Sequence, residues 1–588
     1  MALENLITEY IDIWTSAVKT KSTSGRGSSK KLELYGVKKL RELILELAVR
    51  GKLVPQNPND EPASVLLERI AQEKAQLVKE KKIKKPKKLP EITKEEAPFK
   101  LPKGWSFSRL EDLCELITKG SSPKWQGVGY TENPEDVLFV TSENVGAFEL
   151  LLENRKYVEK KFNEIEPRSI LRKEDFLMNI VGASIGRTAL YDIDDLANIN
   201  QAVCLIRSFP QQVSTRFFLT FFNSLTCVSY MYDKQVENAR PNLSMGNISK
   251  FVIPVPPIHE QHRIVAKVDK LMALCDQLEQ QTENSIEAHQ VLVTTLLDTL
   301  TNSADADELM QNWARISEHF DTLFTTEESI DQLKQTILQL AVMGKLVPQD
   351  PSDEPAAELL KRIAEEKAQL ILKKEIPKTK KFEEISVQDN AFNAPSNWSW
   401  VRLETVFNVI VDCPHSTAKF QDEGLLCIDT NSFKQGQLHP NRFRFVSKET
   451  FDKRNARLVP KSRDIIFARE GSVGESVVIP EGVECCLGQR VMLFRPSESL
   501  NAEFLRLTIS NKGALNQLLV LHKGIGAKHV NVGDMRAFVI CLPPKMEQDR
   551  IVDKVNELLG LCELLKSSLK DFQSTQLYLT DAIVEQAV

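Results

Sequence analysis

The sequence contains no apolar run that approaches the roughly 20 residues needed to span a bilayer. Its amino-terminal stretch carries Glu4, Glu9 and Asp12 where a secretory signal would place positive charge and then an apolar core. The ten cysteines form no C-x-x-C pair and show no Cys/His spacing of a zinc site. These absences predict a cytoplasmic protein whose cysteines are reduced core residues and which has no structural metal.

Motifs for catalysis are also missing. The chain has no G-x-x-x-x-G-K-[ST] phosphate loop, no glycine-rich dinucleotide turn, no H-E-x-x-H motif and no Asn/Asp-Pro-Pro-aromatic methyltransferase motif. The Pro-Pro pairs at 256–257 and 543–544 lack the preceding amide or acid, and the eight histidines are dispersed. We therefore expect no active site and no cofactor on this chain, and we interpret it as a non-enzymatic protein.

The chain has no strong excess of positive charge. Duplex DNA is bound largely through neutralisation of its phosphates by Lys and Arg, so a formal net charge of −5 restricts any nucleic-acid contact to local patches. A content of 42% hydrophobic and 27% charged residues is typical of a globular protein. At 588 residues the chain is too long for one hydrophobic core, which predicts several domains.

What the sequence does contain is a long internal repeat. Residues 44–77 and 337–370 are identical at 26 of 34 positions without a gap, at an offset of 293. Further along, residues 251–278 match 538–565 at an offset of 287. Units of about 300 residues are far longer than solenoid repeats. The repeat therefore indicates a duplicated set of domains, related by an approximate twofold.

The ends of the two copies have helical periodicity. After each Pro-Pro pair, apolar residues recur every three or four positions, which is the spacing of a coiled coil. The two stripes are Ile264, Val268, Leu271, Cys275 and Leu278, and Ile551, Val555, Leu558, Cys562 and Leu565. One stripe alone could equally face a neighbouring core, but two matching stripes favour mutual pairing. We also expect the first helical segment to pack beside the last, and residues 19–31 to form a solvated loop.

The same Pro-rich turn occurs in both copies, as GKLVPQNPNDEP at 51–62 and GKLVPQDPSDEP at 344–355. Gly51 stands where a helix end favours a left-handed residue, and the prolines that follow prevent the helix from resuming. Asp60 and Glu61 then place negative charge at the start of the next helix. The turn therefore predicts two helices joined at a fixed angle in each copy.

Two regions of about 150 residues separate the duplicated helical parts. Short apolar segments alternate there with Gly-, Asn- and Asp-containing turns, which is typical of strands. The clearest predicted strands are 137–141, 202–207, 464–469 and 490–495. The two regions match only at isolated points, unlike the helices that flank them. The expected fold class is α+β, in which one duplicated helical frame carries two diverged α/β domains.

Each diverged region has polar and basic residues in predicted loops. A strand enters a Gly-rich turn at 175–187 and at 464–475, where a tight hairpin is reason enough for the glycines. A basic residue beside such a turn could also contact a phosphate, and Arg and Asn suit bidentate contacts to bases, although solvated loops have the same composition. The candidate contact residues are Lys119, Lys124, Arg187, Arg240 and Asn242 in the first region and Arg469, Lys523, Lys528, His529 and Asn531 in the second.

The borders of these regions carry a family resemblance. The first region opens with L-P-x-G-W-S-x-x-R-L at 101–110 and closes on I-P-V-P-P-I-x-E-Q at 253–261, and the exit P-P-x-x-E-Q-x-R-I-V occurs again in the second copy. The second opening, A-P-S-N-W-S-W-V-R-L, departs modestly from the first. Over essentially its whole length the chain resembles the DNA-specificity (S) subunit of type I restriction-modification enzymes.

The resemblance implies two target-recognition domains separated by long antiparallel coiled-coil helices. The recognition domains would be 100–256 and 393–543, and the helical conserved regions 1–99, 257–392 and 544–588. Each recognition domain would bind one half of a bipartite, asymmetric site in double-stranded DNA. The implied partners are two modification (methyltransferase) subunits and the restriction (translocase/endonuclease) subunits, and S-adenosylmethionine, ATP and Mg would be bound by those partners.

Two other interpretations stay open from the sequence. The near-neutral inserts would suit a coiled-coil adaptor that binds proteins without binding DNA, and salt-sensitive retention of a specific duplex would distinguish it from a DNA-binding subunit. Scattered Asp, Glu and Lys residues would suit an unrecognised nuclease. Incubation of the isolated chain with DNA and Mg²⁺ would test for that activity.

Overall fold

The computed structural model describes most of the chain. The described residues are 3–22, 30–86, 88–233, 242–304, 306–378, 382–386, 392–511, 515 and 529–588. They belong to two compact units, of which one contains Met1–Ser285 with Phe572–Val588 and the other contains Ile286–Asp571. None of the helices in the described ranges is both long and apolar enough to cross a membrane.

The first unit contains eight complete helices among its described residues, and a ninth helix begins in it. The helices are α1 (Leu3–Glu9), α2 (Ile11–Ser16), α3 (Tyr35–Val49), α4 (Ala63–Lys79), α5 (Lys161–Ile165), α6 (Thr215–Phe222), α7 (Leu225–Asp233), α8 (Met245–Ser249) and α9 (Ile258–Asn302). The strands are β1 (Lys19–Ser22), β2 (Lys30–Glu33), β3 (Ser106–Arg109), β4 (Cys114–Lys119), β5 (Tyr130–Thr131), β6 (Val137–Val140), β7 (Tyr157–Val158), β8 (Asp175–Asn179), β9 (Thr188–Tyr191), β10 (Ala197–Ile199), β11 (Val203–Ser208) and β12 (Val252–Val255).

The second unit repeats this pattern of elements. Its helices are α10 (Ala306–Glu318), α11 (Phe320–Leu323), α12 (Glu327–Val342), α13 (Ala356–Leu372), α14 (Leu403–Val406), α15 (Lys448–Asn455), α16 (Ala502–Ile509), α17 (Val532–Ala537) and the start of α18 (Lys545–Ala587). Its strands are β13 (Ser399–Arg402), β14 (Phe407–Asp412), β15 (Phe420–Gln421), β16 (Leu425–Ile428), β17 (Phe433–Lys434), β18 (Gln437–Leu438), β19 (Arg444–Val446), β20 (Ile465–Ala468), β21 (Ser476–Val478), β22 (Cys485–Leu487), β23 (Val491–Pro496) and β24 (Val539–Leu542).

The sheet-containing domain of the first unit, which the resemblance predicts to be a recognition domain at 100–256, is built on two four-stranded sheets. One is antiparallel with the order β4-β11-β8-β9, and the other is mixed with the order β10-β6-β7-β5, in which β10 and β6 are parallel. Leu138 and Val140 of β6 share a buried core with Leu177 of β8 and Leu205 of β11. The two sheets therefore pack face to face. A third pair, β12 with β3, joins the two ends of the domain.

The recognition domain of the second unit has the same topology despite its different sequence. Its antiparallel sheet has the order β14-β23-β20-β21, and its mixed sheet has the order β15-β19-β16-β22, with β16 and β22 parallel. The pair β13 with β24 closes this domain as β3 with β12 closes the first. The only added pair among the described strands is the short hairpin β17-β18. The predicted α+β class, with two sheet-containing domains and long helices between them, is confirmed.

The Pro-rich turn ends its helix as the sequence predicts. Gly51 has a φ of +67° and Gly344 a φ of +72°, and the Lys52 N–H donates to the Leu47 carbonyl at 2.9 Å in a Schellman cap. A Cβ on Gly51 would lie 2.5 Å from the Pro102 ring. Glycine is thus required both by the backbone conformation and by the close approach of the next domain's first residues.

The exit motif connects each recognition domain to its long helix. Gln261 is fully buried; its side-chain amide donates to the Pro256 carbonyl at 2.9 Å and its side-chain oxygen accepts from the Ser214 N–H at 2.9 Å. Gln548 makes the equivalent bonds to Pro543 and Asn501. Because Ser214 and Asn501 precede α6 and α16, this glutamine fixes the recognition domain to the start of α9 or α18.

The first helical segment packs beside the last, as predicted. The Tyr35 hydroxyl on α3 donates to Asp581 on α18 at 2.7 Å, and the Lys52 ammonium donates to the Val588 main-chain oxygen. In the second unit, the Lys345 ammonium donates at 2.9 Å to the main-chain oxygens at the end of α9, those of Thr301 and Ser303. The end of α18 therefore has the same role in the first unit as the end of α9 has in the second.

All five residues of the first predicted apolar stripe are buried, whereas Leu558 and Leu565 of the second stripe are only partly buried. Helix α3 packs beside the first stripe, and its Arg41 pairs with Asp276 and Glu279 of α9 at 2.7 Å. In the second unit, Lys334 of α12 pairs with Glu563.

The prediction of a loop at 19–31 was wrong for its ends, since β1 and β2 pair antiparallel from Lys19↔Glu33 to Ser22↔Lys30.

Candidate DNA interface

Several loops of the first recognition domain meet at one end of its antiparallel sheet. Lys119, the last residue of β4, pairs with Cys204, and Asn179, the last residue of β8, pairs with Val203. β9 starts beside this end at Thr188. The loops that follow β4, link β8 to β9 and precede β11 therefore lie together, and we call this end of the sheet the loop edge.

The Gly-rich turn at the loop edge is a hairpin connection. Gly182 and Gly186 have φ of +77° and +95°, which favours glycine at both positions. Val181 forms an isolated bridge with Asn242, and the Leu243 N–H donates to the Ile180 carbonyl at 2.9 Å. The structure thus brings the predicted residue Asn242 next to the turn that carries Arg187.

Three predicted cations of the first domain are available for contact at the loop edge. Lys119 ends β4, Lys124 lies on the short 3-10 turn Pro123–Gln126 of the loop that follows, and Arg187 directly precedes β9. All three side chains are exposed. Within the described part of the chain none of them has an ion-pair or side-chain hydrogen-bond partner. Unpaired cations on adjacent loops suit a polyanion such as the DNA backbone.

The loop edge of the second domain carries a different set of charges. The sheet registers place Asp412 at the position of Lys119, and Glu475, directly before β21, at the position of Arg187. The Arg469 guanidinium, which follows β20, pairs with the Asp412 carboxylate. His415 Nε2 lies 3.5 Å from the same carboxylate. Arg469 is thus partly buried and held by an acid.

The predicted residues His529 and Asn531 lie on the segment that passes this second loop edge. His529 forms an isolated bridge with Glu470 and is exposed. The Asn531 side-chain oxygen accepts from the N–H groups of Gly533 and Asp534 at 3.1 and 3.3 Å, so it caps the N-terminus of α17. Ser244 caps α8 in the same place in the first domain. This shared role gives Asn531 a structural function.

The remaining candidate residues, Arg240, Lys523 and Lys528, lie outside the described residues. Sequence reasoning missed Asp412 and Gln126, which hold Arg469 and the 123–126 turn. Neither is marked by a motif. The register of β14 against β23 is the signal that identifies Asp412, and it requires the fold.

A buried ion pair fixes the opposite end of the same sheet. The Arg207 guanidinium donates to both carboxylate oxygens of Asp175 at 2.6 Å, and the Arg172 N–H donates to it at 2.7 Å. Burial raises the pKa of Asp175, while the hydrogen bond from Arg207 opposes this effect. Arg495 and Asp464 form the equivalent pair at 2.8 and 2.7 Å. These pairs join β8 to β11 and β20 to β23 and so position the loops at their far ends.

The ten cysteines are unpaired and buried, in agreement with the prediction that they are core residues. No group of three or more His, Cys, Asp or Glu in the described ranges is arranged to hold a metal ion. The first loop edge presents cations, an amide and a glycine turn, whereas the second presents acids as well as a cation, with Asp412 and Glu475 in place of Lys119 and Arg187. The groups of the first loop edge are suited to contacts with a polar or anionic macromolecule.

Comparison with known proteins identifies the family of this chain. The family model for the type I restriction modification DNA specificity domain matches twice, at residues 102–288 and 395–571. The EcoAI and EcoEI type I restriction enzyme specificity subunits of Escherichia coli are 39% and 37% identical, each over the full length of both chains. The crystal structure of the HsdS subunit from Thermoanaerobacter tengcongensis has 20% identity and a TM-score of 0.41, and the match covers 84% of this chain and 98% of that chain. Since the two family matches span more than half of its residues, the chain belongs to the family of type I restriction-modification DNA specificity subunits.

Proposed function

We propose that this chain recognises a bipartite, asymmetric site in double-stranded DNA, with one recognition domain for each half. The observation that carries the proposal is the contrast at the two loop edges. The domains share strand order and buried ion pairs, yet Lys119 and Arg187 of the first are replaced by Asp412 and Glu475 of the second. A common scaffold with different contact groups is suited to two different base sequences.

An exchange of recognition domains tests this proposal. Residues 100–256 are replaced by the corresponding domain of another family member, and the methylated sequence is determined by methylome sequencing of a host that carries the partner subunits. We expect one half of the site to change and the other to stay the same. The matched exchange of residues 393–543 should change only the other half. A change in both halves from one exchange would contradict independent recognition.

We further propose that two modification subunits bind the helical frame at equivalent places. Exposed apolar side chains occur on α9 and α18 in pairs at the repeat offset of 287. The pairs are Leu274 with Leu561, Val291 with Tyr578, and Leu292 with Leu579. Exposed side chains of similar character at equivalent positions of both copies suit two copies of one partner.

Native mass spectrometry of the assembled complex tests the equivalence. Leu292→Glu and Leu579→Glu should each remove one modification subunit, and the double variant should remove both. Glu283→Gln, a change of an exposed polar residue on α9, should leave both bound. Loss of both subunits from a single variant would contradict two separate sites.

The chemistry of the complex belongs, in this proposal, to its partners. The modification subunits would bind S-adenosylmethionine, and the restriction subunits would use ATP and Mg for translocation and cleavage. The isolated chain should therefore leave DNA intact in the presence of Mg²⁺.

Because its proposed target is DNA, we expect the complex to act in the cytoplasm. The adaptor alternative is tested by electrophoretic retention of a specific duplex, which a protein-only adaptor would not produce.

A further inference from the structure

Trp125 has an environment unlike that of any other tryptophan in the chain. Its side chain is 74% exposed, whereas Trp14, Trp105 and Trp398 are buried and Trp313 is 38% exposed. An indole is among the largest apolar surfaces that a side chain can present to water. Tryptophan is also the residue most often found at the energetic centre of macromolecular interfaces.

The turn that carries Trp125 is held rigidly. It is the 3-10 turn Pro123–Gln126, in which Pro123 is buried. The Gln126 side-chain amide donates to Ser121 Oγ at 3.0 Å and to Glu166 Oε1 at 2.9 Å. Gly127 then reverses the chain with a φ of +67°, and Val128 returns to a core with Phe139 and Phe162. A side chain presented on a fixed turn loses little conformational entropy when it binds.

Trp125 lies close in sequence to two of the candidate DNA-contacting lysines. The turn lies in the loop that leaves the loop edge after Lys119, and Lys124 is its immediate neighbour. Lys119, Lys124 and Arg187 are exposed and unpaired within the described residues, so the surroundings of the indole favour an anionic partner over an apolar protein surface. The corresponding segment between β14 and β15 of the second domain, CPHSTAK, contains no Trp, Tyr or Phe.

We infer that Trp125 contacts nucleobases in the half-site bound by the first recognition domain, and that it contributes to the sequence preference of that half alone. The indole would pack against the apolar surface of a base, either a thymine methyl group in the groove or the face of a partly unstacked base. The lysines beside it would hold the phosphates on either side. This inference rests on the function proposed above.

Oxidative footprinting with mass spectrometry tests the contact. The assembled complex, with its modification subunits, is oxidised alone, with a duplex that contains its methylated site, and with an unrelated duplex. We expect oxidation at Trp125 to fall several-fold only with the specific duplex. Trp313, on α10, is the internal control and should be unaffected. Equal oxidation of Trp125 with and without the specific duplex would overturn the inference.

Variants test the contribution to affinity and sequence. Trp125→Ala should weaken binding of the specific duplex by roughly five- to 150-fold, the range found when a stacked aromatic is removed, and should relax recognition in one half-site. Trp125→Phe should retain most of the affinity. Because the side chain is exposed, both variants should melt at the wild-type temperature. An unchanged affinity in Trp125→Ala would contradict the inference, whereas failure of the wild-type complex to bind any duplex would contradict the proposed function itself.

Discussion

Arg263 Nη2 lies 2.6 Å from Asp60 Oδ2, although 203 positions separate the two residues in the sequence. Arg263 belongs to the exit motif and Asp60 to the Pro-rich turn, so the two most recognisable repeated motifs form one joint. Gln56 and Glu260 add a second contact between them at 3.3 Å. Arg550 repeats the first contact with Asp353, also at 2.6 Å. The motifs recur because each helical frame needs this joint.

Replacing Glu547 should change how stability depends on pH. Glu547 is fully buried and accepts from Trp398 Nε1 at 3.0 Å and Gln349 Nε2 at 2.6 Å. Burial raises its pKa above the ordinary 4.5. Its contribution to stability is therefore fully present below about 4.5 and is lost as pH rises through the raised pKa. Glu547→Gln removes this titration, so its melting temperature relative to wild type should rise as the pH increases above the ordinary pKa of 4.5.

Calorimetry at several pH values checks this expectation. Glu260→Gln should behave in the same way, because burial also raises the pKa of Glu260. Glu585→Gln, a change of an exposed glutamate, is the control and should show a constant difference. A difference for Glu547→Gln that does not vary with pH would show that this carboxylate has its ordinary pKa.

Breaking the buried ion pair should destabilise the first recognition domain. Asp175→Asn leaves the largely buried Arg207 guanidinium without its anion; loss of one partner of a fully buried pair costs about 3–5 kcal/mol, which is an upper bound here because Arg207 is 11% exposed. The double variant with Arg207→Met should recover much of that loss. Proteolytic susceptibility of the two domains measures the effect, and Asp464→Asn is the matched change in the second domain. Equal loss in the single and double variants would contradict the pairing.

The cap role of Asn531 can be separated from a role in DNA contact. Asn531→Ser keeps an N-cap oxygen and should preserve both stability and the methylated sequence. Asn531→Ala removes the cap and should cost about 1 kcal/mol. Melting temperature and methylome sequencing of both variants provide the measurements. If the methylated half-site changes in the serine variant, Asn531 contacts DNA in addition to capping the helix.

The cations of the first loop edge should contribute to the salt dependence of DNA binding. Each of Lys119→Ala, Lys124→Ala and Arg187→Ala should reduce the slope of log K against log salt by about 0.9 where the residue neutralises one phosphate. Fluorescence anisotropy of a labelled specific duplex, at salt concentrations from about 50 to about 200 mM, measures this slope. Lys173→Ala, on the opposite end of β8 and paired with Asp194 at 2.8 Å, is the control. If the slopes of these variants equal that of the control, these residues do not neutralise phosphates in the complex.

Much of the fold follows from local sequence patterns. The predicted strands at 137–141, 202–207, 464–469 and 490–495 are present as β6, β11, β20 and β23 within one or two residues at each end. These strands are buried on both faces, so each appears in the sequence as a short continuous apolar run, which is typical of a buried strand. The Schellman glycines were equally predictable, because few other residues suit a left-handed helix end.

The candidate site was less predictable than the fold. Arg469 is partly buried because it pairs with Asp412, whereas the equivalent position in the first domain is occupied by Lys119, which is exposed. Sequence composition treats both cations alike. Asn531 similarly suits a base contact by its chemistry but is occupied in a helix cap. Such roles are decided by neighbours that are distant in sequence.

Lengthening the long helices should change the tolerated spacing between half-sites. The helices α9 and α18 are the targets, because the borders between the two units fall within them, at Ser285/Ile286 and at Asp571/Phe572. A four-residue insertion between Ser285 and Ile286, matched by one between Asp571 and Phe572, adds about 6 Å of helix to each. We expect the methylated site to gain about one to two base pairs of spacer. An unchanged spacer would show that these helices do not set it.

The contacts of Lys52 with the end of α18 and of Lys345 with the end of α9 have an evolutionary consequence. The second unit is complete within one uninterrupted stretch, whereas the first combines the start of the chain with its last residues. An ancestral gene of half the length, whose product exchanged its last helix with an identical copy, would already have made both units. Tandem fusion of that gene would then free each half to acquire its own binding preference, and would convert recognition of a palindrome into recognition of an asymmetric sequence.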